Sequence, residues 1–120
     1  MGRNYRKIRA WEIGDELALL TYHMTKKFPK EEIWGLTSQM RRAAVSVPAN
    51  IAEGSARKHT NEYLQFLYIA LSSATELDYF LDFSHRLGYL TGEDHGKMIP
   101  KSEELQKVLR GLITYIETHR

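Results

Sequence analysis

Apolar residues recur every three or four positions along nearly the whole chain, a spacing that predicts helices and leaves no alternating pattern for strands. Ile13, Leu17, Leu20, Met24 and Phe28 mark a first helix over about Ile8 to Lys27. Phe28-Pro29 ends it, because a residue before proline is pushed out of the α region. Pro29-Lys30-Glu31-Glu32 suits a short turn, with proline early and acids near the positive end of the dipole. Gly35 then separates this piece from a second helix, about Leu36 to Ser55.

That second helix has two faces. Leu36, Met40, Ala43, Ala44, Val47 and Ile51 form an apolar stripe, and Gln39, Arg42, Ser46, Asn50 and Glu53 lie beside it as a polar seam. Gln, Ser and Asn suit fixed hydrogen bonds better than a solvated face would. Pro48 removes one backbone bond and predicts a kink, with Ser46 placed to help satisfy the freed carbonyls. Gln39, Ser46, Pro48, Asn50 and Glu53 are therefore assigned to structure at the kink or to a subunit contact.

The third helix is predicted from a Thr60 cap to a left-handed Gly88. Tyr63, Leu67, Ala70, Ala74, Leu77, Leu81 and Ser84 keep alternating spacings of four and three, the seam of a bundle helix. Leu64, Phe66, Leu71, Phe80 and Phe83 widen its apolar surface enough for more than one neighbour. The fourth helix starts at Thr91, where Thr-Gly-Glu-Asp resembles a capping box with Asp94 in place of Glu. Leu105, Val108, Leu109, Leu112, Ile113 and Ile116 carry its core side, while Pro100 predicts a kink or short break near Met98 to Pro100. Short connections between long helices give an all-α, antiparallel up-down-up-down four-helix bundle over 1–120.

At 120 residues with 42% apolar and 27% charged content, the chain is one domain able to bury a core. It contains no cysteine, which removes disulfides, thiolate metal sites and cysteine nucleophiles. The basic N-terminus precedes no signal-peptide apolar region, and no apolar run is long enough to span a membrane, so the expectation is a cytoplasmic protein. Metal chemistry has little to work with. Asp82-Phe-Ser-His85 is the sole near match to a Glu-x-x-His ligand pair, and His23, His59, His95 and His119 show no ligand spacing. Ser46 has Arg42 and Asn50 one turn away but no histidine base, and the eight glycines form no phosphate loop. No enzyme, cofactor or metal is expected.

Net charge is only +2, so placement matters more than sum. Arg3, Arg6, Lys7 and Arg9 cluster at the start, Lys26 and Lys27 end the first helix, and Arg41, Arg42, Arg57 and Lys58 sit on the second helix and its exit. These are the candidates for contacts to nucleic-acid phosphates. The plainer reading pairs Arg42 with Glu53 or another acid and leaves the rest solvated. Self-association is suggested by Val45, Ala49 and Ala52 on the outer side of the second helix. Trp11, Trp34, Tyr68, Tyr79 and Tyr89 add more aromatic surface than four helices easily bury.

The stretch from Leu36 to Gly54, with Ser38-Gln-Met-Arg-Arg-Ala43 and Asn50-Ile-Ala-Glu-Gly54, resembles the four-helix bundle proteins of bacterial 23S ribosomal RNA intervening sequences. Arg6-Lys-Ile-Arg-Ala-Trp11, Phe28-Pro-Lys-Glu-Glu32 and Tyr63-Leu-Gln-Phe-Leu-Tyr-Ile-Ala70 extend the likeness over nearly the whole chain. The resemblance implies a ring-shaped homopentamer with no catalytic residue to carry across. It also implies kinship with accessory proteins of diversity-generating retroelements, which bind nucleic acid and a reverse transcriptase. Pro100, Gly92 and Gly96 depart from the family pattern and put the start of the fourth helix in question. The resulting expectation is a non-enzymatic, homo-oligomeric scaffold that binds RNA or DNA. The alternative is a protein-interaction module, for example an accessory subunit of a reverse transcriptase, without direct nucleic-acid contact.

Overall fold

The computed structural model describes residues 3–120; Met1 and Gly2 of the basic N-terminal run lie outside the described residues. Four helices carry the architecture: α1 Arg9–Thr25, α2 Leu36–Ser55, α3 Thr60–Arg86 and α4 Gly92–Thr118, with 3-10 turns at Tyr5–Lys7 and Lys30–Glu32. No strand occurs among the described residues. Each helix packs on its chain neighbours and α1 meets α4, while neither diagonal pair makes a close backbone approach among the described residues. The result is a four-sided bundle 45 Å long.

The spacing seen in the sequence is what fills the middle. Ile13 and Leu17, Met40 and Ile51, Leu67, Leu77 and Leu81, and Met98, Leu105 and Leu109 are all fully buried. Each such side chain contributes roughly 1.5–3 kcal/mol on leaving water. The α1–α4 seam is different in kind, because ion pairs cross it along its whole length. Arg9 meets Glu104 at 3.2 Å, Lys101 meets Glu16 at 2.9 Å, and Lys27 meets Asp94 at 3.2 Å.

Two of the expected helix ends are confirmed in atomic detail. Gly88 has φ +82°, and the amide N–H groups of Gly88 and Tyr89 donate to the carbonyls of His85 and Ser84 at 3.0 Å each. That is the left-handed closure in which glycine avoids a Cβ clash. The Thr91 hydroxyl accepts from the Asp94 amide at 3.1 Å. Asp94 does not complete the box: its nine-tenths buried carboxylate turns to Lys27 instead.

Other expectations change. The cap of α3 is His59, in extended geometry and with no side-chain bond, so Thr60 is the first helical residue and not the cap. Pro100 neither breaks α4 nor delays its start, which falls at Gly92. The helix is held across the proline by Met98, Ser102 and Leu105, all wholly buried, so packing outweighs the lost hydrogen bond. Pro48 likewise lies within an unbroken α2 and is buried against α1. A Cβ added at Gly14 of α1 would lie 3.1 Å from Val47 Cγ1 and 3.6 Å from Pro48 Cδ, so the two helices approach closely there. Ser46 does not serve the freed carbonyl. Its hydroxyl lies 2.8 Å from Ser73 Oγ on α3, and the Asn50 amide donates to Ser46 O at 2.8 Å and Oγ at 2.9 Å.

Candidate nucleic-acid interface

The structure divides the candidate phosphate-binding residues into two groups about 20 Å apart along α2, at the 1.5 Å rise of a helix. The first group occupies the end of the bundle where the chain enters α1 and passes from α2 to α3. Asn4 accepts from the Arg6 amide at 3.1 Å and so starts the Tyr5–Lys7 turn. Tyr5 then sets its ring edge-on to half-buried Trp11 at 5.0 Å. Arg3 reaches back across this turn. Its guanidinium donates to the carbonyl of Arg57 at 3.0 Å and of Ser55 at 3.4 Å, and lies 4.1 Å over the ring of Tyr63. Burial pushes the Tyr63 hydroxyl above its ordinary range, with Arg3 opposing. Arg6 lies 4.6 Å over Tyr5.

Not every basic residue at this end is free. Arg9 is held by Glu12 at 2.9 Å and Glu104 at 3.2 Å, and the Glu12 bond leads the causes that raise its pKa. Arg57 pairs with Glu53 at 3.2 Å while resting 4.8 Å over Phe66. That pairing overturns the expected Arg42–Glu53 contact. Arg3, Arg6, Lys7 and Lys58 form no carboxylate pair among the described residues. Arg120 joins the same end through Asn61, a placement the sequence alone does not signal because it depends on where α4 finishes.

The second group lies toward the opposite end. Arg41 donates to Thr25 Oγ1 at 2.9 Å and to the Tyr22 carbonyl at 3.4 Å, with its guanidinium 4.8 Å over the Tyr22 ring. Arg42 is exposed and has no ion pair among the described residues. Both face an open groove of about 750 Å³ whose lining also includes Trp34 and Asn50. Trp34 is 89% exposed, the largest exposure of a large apolar side chain among the described residues, and Val45, Tyr68 and Tyr79 are exposed as well. Trp11 and Tyr89 are not: Trp11 packs on Tyr5, and Tyr89 lies on Phe28 with its hydroxyl donating to Glu32 at 3.1 Å.

The near-match at Asp82 and His85 acquires a neighbour that its spacing could not show. His95 of α4 stacks on His85 with ring centroids 4.4 Å apart, and its Nε2 lies 3.6 Å from Asp82 Oδ1. His85 Nδ1 is 3.1 Å from the Leu90 carbonyl. No group of three or more His, Cys, Asp or Glu is positioned to hold a metal ion among the described residues.

A four-helix bundle with cations distributed on its end and its outer face is thus the class of protein defined here. Residues 6–111 match the family described as 23S rRNA-intervening sequence protein, and the chain belongs to that family. It is also similar to a crystal structure at 1.70 Å of a protein with unknown function from the S23 ribosomal protein family of Bacteroides thetaiotaomicron VPI-5482. The two share 26% identity over 88% of this chain and 95% of that one, with a TM-score of 0.80. No curated protein matches.

Proposed function

We propose that this chain is a non-enzymatic, homo-oligomeric bundle that binds RNA or DNA through the phosphate backbone, as a scaffold of the intervening-sequence type. The observation that carries this reading is the uneven pairing of its charges. Arg9, Lys27, Arg57, Arg86 and Lys101 are matched to carboxylates, whereas Arg3, Arg6, Lys7 and Lys58 gather at one end without one among the described residues. Unneutralised cations on one surface are what a polyanion selects. The family's own description, which refers to a ribosomal RNA insertion, agrees in kind.

The up-down-up-down course is supported by the order of the cross-seam pairs, since Arg9, Glu16 and Lys27 meet Glu104, Lys101 and Asp94 in turn. Self-association is supported by exposed Val45, Tyr68, Ile69 and Tyr79, and five subunits in a ring follow from the family resemblance. Of the residues assigned to a subunit contact, Val45 and Ala52 still suit one. Ser46 is engaged with Ser73 of α3, Asn50 is bonded to Ser46 within α2, Pro48 is buried, and Glu53 holds Arg57. No helix is long and apolar enough to cross a membrane among the described residues, and the cytoplasm is the proposed location.

Binding should show weak sequence preference and fall steeply with salt. Titration of structured RNA and duplex DNA at several salt concentrations tests this. Replacing Arg6, Lys7 and Lys58 by Gln together should flatten the log–log salt slope by roughly 2 to 3. No salt-sensitive affinity for either polymer would end the reading. The alternative, an accessory subunit that docks a protein such as a reverse transcriptase, rests on the same exposed apolar residues. It requires Val45→Glu or Ala52→Glu to abolish partner capture while nucleic-acid affinity stays unchanged.

A further inference from the structure

The groove on α2 continues into a second one of about 340 Å³ under the α1–α2 connection, because Ile33, Thr37 and Arg41 line both. Lys26 and Lys30 border the second part, and Arg41 and Arg42 the first. No Asp or Glu lines either part. Of the two acids in the connection, Glu32 is committed elsewhere, accepting from the Leu36 amide and the Tyr89 hydroxyl at 3.1 Å each. Lys26, Lys30 and Arg42 form no ion pair among the described residues, and the bonds of Arg41 go only to neutral oxygens. Four cations therefore follow one channel whose own lining carries no Asp or Glu, although Glu76 of α3 shares a smaller neighbouring cavity with Arg42.

Trp34 stands in the same channel with 89% of its surface in water, and Tyr22 is 41% exposed beneath Arg41. An indole held this way makes no contribution to the core. A base inside a duplex already has both faces covered, so an open indole face can take only a base that is unstacked. Resting on the nucleic-acid reading above, we propose that this channel binds unpaired, single-stranded nucleic acid. One base stacks on Trp34, and phosphates run along Lys26, Lys30, Arg41 and Arg42. The end cations serve paired and unpaired strands alike; the channel adds the preference for unpaired ones.

The test uses the full chain, oligothymidylate and a DNA duplex of equal length, read by tryptophan fluorescence and anisotropy. Oligothymidylate should quench the tryptophan emission. Trp34→Ala should weaken its binding about tenfold, Trp34→Phe should recover most of that loss, and duplex affinity should stay within about twofold. Arg42→Gln should lower the single-strand salt slope by about one. If Trp34→Ala leaves oligothymidylate affinity intact while salt-sensitive binding persists, the channel assignment fails and the end-cation reading survives. If neither polymer binds, both fail. If Trp34→Ala lowers the particle mass in light scattering, with or without an affinity loss, the channel is a contact between copies of this chain and the proposal is overturned. Circular dichroism melts of the variants should match the parent, since Trp34 packs on so little.

Discussion

Alanine introduced at Gly54 and at Gly111 should move the stability of this bundle in opposite directions, although both are helical glycines. At Gly54, near the end of α2, a Cβ would come within 2.6 Å of Phe66 Cβ and 3.2 Å of Tyr63 Cδ1. Real Cβ atoms do not approach so closely, and the obstructing atom is fixed to the α3 backbone, so no side-chain rotation relieves it. The last turn of α2 must lift away from α3. Overpacking of this kind costs about 1–3 kcal/mol, against about 0.8–1.0 kcal/mol returned by the better helix propensity of alanine. The net loss is then up to roughly 2 kcal/mol, or up to about 8 °C in Tm for a chain of this size. At Gly111 nothing lies within 4 Å of the added Cβ, so the propensity gain stands alone and Tm should rise by about 2–4 °C. Circular dichroism melts of both variants beside the parent decide the matter. Equal stability of the two alanine variants would refute the close α2–α3 approach.

Two further outcomes follow from the packing. Burial raises the Tyr63 pKa, so the unfolded chain releases that proton first as pH passes about 10. The stability is complete below that pH and is lost as pH climbs toward the folded value. Tyr63→Phe should therefore lose Tm less steeply than the parent between about pH 9.5 and 11; parallel declines would show that this hydroxyl is not the one responsible. Pro100→Ala restores an N–H for the Gly96 carbonyl within an already continuous α4, and should stabilise the fold by about 1–3 kcal/mol in denaturant unfolding. A loss would mean that the proline ring packs more productively than its exposed position suggests.

The helices and the core were legible because burial follows the three-four spacing so faithfully that Leu67, Leu77 and Leu81 could be placed from periodicity alone. Pro100 misled because local preference was outweighed by the buried residues around it. The cap at His59 was invisible for a related reason, since it uses backbone geometry and no side-chain bond. At the candidate site the sequence identified residue types but not their obligations. Arg9 is engaged by Glu104, 95 positions away, while Arg42 has no acid where Glu53 was expected. Lys30 was obscured by the two glutamates that follow it. Its place beside Arg41 exists only once the α1–α2 connection has folded back.

The three charged stitches between α1 and α4 give electrolyte a second point of action on this molecule. Added salt that strips a polyanion from the surface also weakens Arg9–Glu104 and Lys101–Glu16, whose carboxylates are about half-exposed, whereas sheltered Asp94 is screened less. Hydrogen exchange in concentrated salt should accordingly quicken first in the middle turns of α4, around Lys101 and Glu104, and last beside its Thr91 cap. The bundle would unzip from the side on which its outermost helices meet.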